Sequence, residues 1–171
     1  MGSVMILSGP VGAGKSTIAK ELVAISPAPM ACIEGDLFWP FLAKPEDDRS
    51  PRKDFVLIMS SMVVAAIPLA KAGYEVIVDF SIPPWYLETA QRLISGRGIP
   101  LHFVSVVPSQ QVCSTRVAKR PDGTIRDYEP YAELYNDFDP GAAHAVCDDS
   151  ASAAELAVRI RRGLDKGTFR V

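Results

Sequence analysis

Gly9-Pro10-Val11-Gly12-Ala13-Gly14-Lys15-Ser16 fits the pattern G-x-x-x-x-G-K-[ST] at every fixed position. Each residue type has a job in holding a polyphosphate. Glycines at Gly9, Gly12 and Gly14 allow successive backbone N–H groups to turn inward around an anion. The Lys15 ammonium reaches the β- and γ-phosphates as a point charge, and the Ser16 hydroxyl is a hard oxygen ligand for Mg²⁺. Thr17 either touches the α-phosphate or caps the turn. The context is right as well. Val4–Ser8 is an apolar run suited to a buried strand, and Lys15–Ile25 carries Ile18, Leu22 and Ile25 at helical spacing. A helix starting at this loop presents its positive end to the phosphates.

Two acidic positions complement the loop. Glu34-Gly35-Asp36 follows a short second strand, Ala31–Glu34, and Asp79 ends the apolar run Val76-Ile77-Val78. In a parallel sheet, ligands gather beyond the carboxyl ends of the strands, so both carboxylates are expected at one edge. Asp36 there orients an acceptor hydroxyl and takes its proton, or else caps the next segment. Asp79 there holds Mg²⁺ directly or through water, or else ends the strand in solvent. Glu34 braces the loop. Arg116, Lys119, Arg120 and Arg126 cluster around the turn Pro121-Asp122-Gly123. Arginines on such a segment can close over a nucleotide, exclude water and stabilise charge on a transferring group; a solvated basic helix end is the ordinary alternative. Arg49, Arg52 and Lys53 are either surface charge or contacts for an anionic acceptor. Phe38, Trp39, Phe41, Trp85 and Tyr86 flank the two acidic strand ends and either wall an acceptor pocket or pack in the core.

The elements that must position these groups alternate between strand and helix. Ser50-Pro51 reads as a helix start, followed by the apolar stripe Phe55, Met59, Met62, Ala66 and Ala70. Gly73 closes that helix, and Pro68 is expected to kink it. Strands are expected at Glu75–Phe80, Leu101–Val107 and, weakly, His144–Cys147. Helices are expected at Trp85–Ser95, Ser109–Arg120 and around Tyr131–Phe138. Ser152 with Glu155 forms a capping box for a last helix lined by Leu156, Ile160 and Leu164. This alternation predicts an α/β fold, a parallel sheet covered by helices on both faces.

The bulk numbers agree. A chain of 171 residues fits a single domain with its own core. A net charge of −2 speaks against a broad nucleic-acid surface. Three cysteines, Cys32, Cys113 and Cys147, show no C-x-x-C spacing, so we expect buried free thiols and a reducing, cytoplasmic setting. The apolar run Met62–Ala70 is shorter than the ~20 residues that span a bilayer, so no membrane partner is expected. His102 and His144 have no metal-type partner at suitable spacing and are read as structural. Neither an N-K-x-D nor a D-x-x-G signature of a nucleotide-switch GTPase is found.

Together these residues resemble the small P-loop kinases related to nucleoside-monophosphate kinases. Within that group the chain is most similar to the gluconate-kinase-like and chloramphenicol-phosphotransferase-like branch and to AAA-type kinase domains. Four places carry the resemblance: Gly9–Thr17, Ile33-Glu34-Gly35-Asp36, Val78-Asp79, and Arg116-Val117-Ala118-Lys119-Arg120 as the R-x-x-x-R of a lid. The resemblance implies a three-layer P-loop NTPase fold with sheet order 2-3-1-4-5 and a small lid over about residues 120–130. It implies ATP and Mg²⁺ as cofactors, and transfer of the γ-phosphate to a hydroxyl of a small molecule. Arg116 would then flank the adenine, Arg120 would contact phosphates, Arg126 would be a lid arginine, and Cys147–Ser150 would border the adenine. The catalytic set is thus Lys15, Asp36, Arg120 and Arg126. Nucleotide contacts come from Gly9, Gly12, Ala13, Gly14, Lys15, Ser16, Thr17, Arg116 and Arg120, and metal contacts from Ser16 and Asp79. The alternatives are a nucleoside-monophosphate kinase and a toxin-like or polynucleotide kinase. Asp79-Phe80-Ser81-Ile82-Pro83 lacks the arginine of the D-G-x-P-R segment in nucleoside-monophosphate kinases. Ile82-Pro83-Pro84-Trp85-Tyr86 is apolar where gluconate kinases are basic.

Overall fold

The computed structural model describes residues 2–43, 51–121 and 125–171. The predicted cap at Ser50, the cation Arg49 and the Asp122-Gly123 turn lie outside the described residues.

Five parallel strands form one sheet in the order β2-β3-β1-β4-β5, as the resemblance implied. They are β1 (Ser3–Ser8), β2 (Met30–Glu34), β3 (Glu75–Asp79), β4 (Leu101–Val106) and β5 (Ala145–Val146). The helices are α1 (Lys15–Ile25), α2 (Pro51–Lys71), α3 (Leu87–Ile94), α4 (Gln110–Ala118), α5 (Ala132–Tyr135) and α6 (Ala153–Asp165). Side chains on a strand alternate between faces, and β1 uses both. Val4 and Ile6 enter the core beneath α2 and α3, while Met5 and Leu7 enter the core beneath α1 and α6. A central strand buried on both faces has to be apolar throughout, which is why β1 and β3 read as unbroken apolar runs.

The stripe predicted on α2 is the core face: Met59, Met62, Ala66 and Ala70 have no exposed surface. By length and composition, Arg52–Lys71 is apolar enough to cross a membrane, but Ile58, Met59, Met62 and Val63 pack beneath the sheet. The helix continues through Pro68 to Lys71, and the N–H of Ala72 reaches the Pro68 carbonyl. The Ser152–Glu155 capping box is present with both of its reciprocal bonds.

Several local expectations are corrected. Ile25, expected on the buried face of α1, is 41% exposed, because only Ile18, Ala19 and Leu22 reach the sheet. The helix expected around Tyr131–Phe138 is a single short turn, α5, preceded by the 3-10 turn Glu129–Tyr131. Cys113 is buried, but Cys32 and Cys147 are exposed, because β2 and β5 are the sheet's edges; all three are free thiols. His144 stacks edge-on against Phe103, and His102, near the start of β4 and so at the opposite end of the strands from the phosphate loop, bridges to Arg170, consistent with packing roles.

Candidate active site

The loop between β1 and α1 is built on close backbone approach. Gly12 has φ 86° and lies against α4; a Cβ there would fall 2.4 Å from the Cys113 carbonyl oxygen. No other residue fits both constraints. Ala13 N–H closes the loop onto the Pro10 carbonyl at 3.2 Å, and Gly14 caps α1 in the left-handed region. The Ala13 carbonyl accepts from Arg116 Nη1 at 3.1 Å, so α4 clamps the loop from outside.

Lys15 lies across the mouth of the loop. Its ammonium donates to the carbonyls of Gly9 at 3.1 Å and Pro10 at 3.0 Å and to Ser81 Oγ at 2.9 Å. Burial pushes its pKa down to about 8; Asp79 pulls against this, Arg120 adds to it, and Asp36 acts weakly with Asp79. Lys15, Asp36, Asp79 and Arg120, from four segments distant in sequence, line one cavity at the sheet edge.

Asp79 is 5% exposed, and its β-ladder partners are Leu7 on one side and Glu34 on the other. It does not end the strand in solvent. Burial raises its pKa, against which the Ser16 hydroxyl donates a hydrogen bond and Lys15 supplies positive charge. A carboxylate and a hydroxyl side by side, both hard oxygen donors, suit Mg²⁺. Asp36 sits in a 3-10 turn, Gly35–Leu37, directly after β2, and is exposed into the cavity described next. Gly35 is required there by packing, because the Phe80 ring lies against it.

One cavity of about 760 Å³ joins these groups. Lys15, Ser16, Asp36, Asp79 and Arg120 line it, and so do Glu34 and Gly35. The same cavity is lined by aromatic side chains, Trp39, Phe55, Phe80, Trp85 and Tyr131, with Pro130 and Leu134. Phe55 packs against Phe80 with ring centroids 5.4 Å apart and against Trp39 at 6.3 Å. Trp85 is fixed on two sides. Its Nε1–H donates to Asp137 Oδ2 at 3.3 Å, and the Arg52 guanidinium lies 4.6 Å over the ring.

The arginine segment divides differently from the expectation. Arg116 is on α4, but the helix ends at Ala118, so Arg120 lies in the turn beyond it, with its N–H on the Val117 carbonyl. The two do not share a helix face: Arg116 holds the loop and Arg120 enters the cavity. Arg126 is exposed, and its neighbour Ile125 lines the cavity. Thr17 is exposed on the first turn of α1. Beyond β5, Asp148 accepts from Ser150 and Ala151 N–H groups and from Arg159, which fixes the segment expected to border the adenine. Asp149 Oδ1 accepts from Ser109 N–H at 2.7 Å, tying that segment to the start of α4.

Sequence reasoning missed Ser81 and Asp137. A lone serine two residues after Asp79 carries no spacing signal, and Asp137 acquires meaning only once Trp85 is beside it. Tyr131 and Leu134, expected on one face of a helix, are cavity wall.

A parallel sheet in the order 2-3-1-4-5 with a phosphate loop after the central strand defines a P-loop kinase fold. Residues 2–162 match the model of the chloramphenicol phosphotransferase-like proteins, and the chain belongs to that family. Among solved structures, a sugar kinase from Janibacter sp. HTCC2649 superposes with a TM-score of 0.71 at 19% identity, covering 96% of this chain and 95% of that one. The APS kinase of Mycobacterium tuberculosis, in complex with AMPPNP and APS, gives 0.71 at 17% identity, covering 96% and 98%. The tunicamycin resistance protein of Deinococcus radiodurans gives 0.66 at 16% identity, covering 100% and 99%. At these identities the superpositions speak to fold. No curated protein matches the chain in sequence.

Proposed function

We propose that this chain transfers the γ-phosphoryl group of ATP to a hydroxyl of a small, uncharged, ring-bearing molecule. The observation that carries the reading is a cavity lined both by Lys15, Asp36 and Asp79 and by the aromatic side chains of Trp39, Phe55, Phe80, Trp85 and Tyr131. An aromatic wall stabilises apolar, planar groups by burial and stacking. A sugar acid or a nucleotide phosphate would want cations there instead. Among the described residues that line the cavity the cations are Lys15, Arg52 and Arg120; the first and last are assigned to the phosphates, and Arg52 lies over Trp85. The antibiotic-phosphotransferase-like reading is therefore favoured over the gluconate-kinase-like one.

The reaction balances with groups already in place. The acceptor oxygen attacks the γ-phosphorus, the bond from that phosphorus to the β–γ bridging oxygen breaks, and ADP leaves. The acceptor proton goes to the Asp36 carboxylate. The loop N–H groups and Lys15 hold the phosphates, and Arg120 stabilises charge on the transferring group. Ser16 and Asp79 would hold Mg²⁺, which supplies charge neutralisation to the phosphates when bound. Arg116, by fixing the Ala13 carbonyl, keeps the loop in its cradle shape and borders the base. Arg126 belongs to a lid over about residues 120–130 that closes on the nucleotide. ATP supply and free thiols fit a cytoplasmic enzyme.

A screen of ATP with chloramphenicol, gluconate, AMP and a DNA oligonucleotide, read by mass spectrometry of the acceptor, tests this. Phosphorylation of the ring-bearing alcohol supports the proposal. Phosphorylation confined to gluconate, AMP or the oligonucleotide overturns the acceptor class.

A further inference from the structure

Lys15 has three hydrogens to donate and three acceptors. Two are carbonyls of its own loop, Gly9 and Pro10; the third, Ser81 Oγ, comes from the segment after β3. Ser81 is 8% exposed and lines the cavity between Asp79 and Pro83.

Its backbone is pinned on both sides. Ile82 N–H donates to the Phe80 carbonyl at 2.9 Å, which makes Ser81 the central residue of a three-residue turn. The Ser8 hydroxyl donates to the Ile82 carbonyl, and Phe80 N–H faces the Leu7 carbonyl at 3.4 Å. The turn is thus tied to the last two residues of β1, from which the phosphate loop springs. Pro83 and Pro84 follow and restrict the chain further. Placing one hydroxyl through so many constraints is more than a solvated loop needs. Buried polar groups held this way act through their partner's geometry.

We propose that Ser81 is a positioning residue for the transfer step, holding the Lys15 ammonium on the β3 side of the phosphate loop, where the γ-phosphate must lie. The carbonyls of Gly9 and Pro10 can be exchanged for phosphate oxygens as the nucleotide enters. Ser81 is not part of the loop and stays, so the lysine keeps one fixed acceptor and approaches the terminal phosphate from one direction. The inference rests on the nucleotide reading of the loop but not on the identity of the acceptor.

The test compares the affinities of AMPPNP and ADP for the full chain by calorimetry with Mg²⁺ present, for wild type, Ser81→Ala and Ser81→Thr. A lysine aimed at the terminal phosphate favours the triphosphate analogue. Ser81→Ala is expected to reduce the preference for AMPPNP over ADP by roughly tenfold, the size of one charge-assisted hydrogen bond at its weaker end, and Ser81→Thr to restore most of it. A merely structural serine would weaken both ligands alike. An unchanged or increased preference in Ser81→Ala overturns the inference. If wild type bound neither ligand, the nucleotide reading would fall and this inference with it. If the preference shifts as expected while no hydroxyl compound is phosphorylated in the acceptor screen, the proposed acceptor reaction fails and the role of Ser81 stands.

Discussion

Gly35 lies so close under the ring of Phe80 that a Cβ on it would fall 2.2 Å from Phe80 Cδ2. The glycine sits between Glu34, the last residue of β2, and Asp36, so the contact sets where the Asp36 carboxylate emerges. Phe80 follows Asp79 directly, so one ring links the positions of both acidic strand ends.

Gly35→Ala therefore should do two things. Overpacking against Phe80 should cost about 1–3 kcal/mol of stability, read as a lower midpoint in urea unfolding. Transfer activity should fall further than the stability loss explains, because Asp36 is displaced. A variant with wild-type stability and activity would show that the ring moves aside freely.

The Lys15 amine should be unusually reactive. Burial disfavours its charged form, so its titration midpoint should lie near 8 instead of the ordinary 10.5. The unfolded chain keeps this proton up to the higher value and the folded chain releases it from the lower one. The group's contribution to stability therefore rises with pH between about 8 and 10.5. Trace acylation across pH, followed by peptide mapping, should give the low midpoint at Lys15, and ATP should protect it. A midpoint in the ordinary lysine range of ~10.4 would contradict the buried placement.

How much of this was legible in the sequence depended on the kind of signal. The phosphate loop, Asp36 and Asp79 were readable because short apolar runs locate strand ends, and in a parallel sheet those ends converge. The capping box and the stripe on α2 were readable because both are periodic. Short-range patterns failed where tertiary contacts decide. Arg116 and Arg120 are four apart, yet α4 ends between them, and only then do they take different tasks. Tyr131 and Leu134 have helical spacing in a helix of four residues. Asp137 and Trp85, 52 positions apart, meet through one hydrogen bond that no local pattern encodes.

Trp85→Ala should raise KM for a ring-bearing acceptor by roughly tenfold, the worth of one stacking contact with its burial, and leave KM for ATP within about twofold. Asp137→Asn, which keeps an acceptor for the indole N–H, should have the smaller effect. Equal losses for ATP and acceptor would place Trp85 in general stability and not in the acceptor wall.

Asp79→Asn should raise the Mg²⁺ concentration needed for half-maximal turnover by about tenfold or more, the loss typical of a metal-site carboxylate or its partner. It should do so with little change in the binding of metal-free ATP. An unaltered Mg²⁺ dependence would move the metal away from Ser16 and Asp79.

The central claim is that Asp36 takes the acceptor proton as the phosphoryl group passes over the sheet edge. Single-turnover transfer from ATP to the acceptor identified by the screen, compared between wild type and Asp36→Asn, tests it most directly. The substitution keeps the shape and removes the charge. The rate of the transfer step is predicted to fall by roughly 10²–10⁴, the span of a positioned general base, while AMPPNP affinity changes less than about twofold. An Asp36→Asn enzyme that transfers phosphate at the wild-type rate would contradict the account.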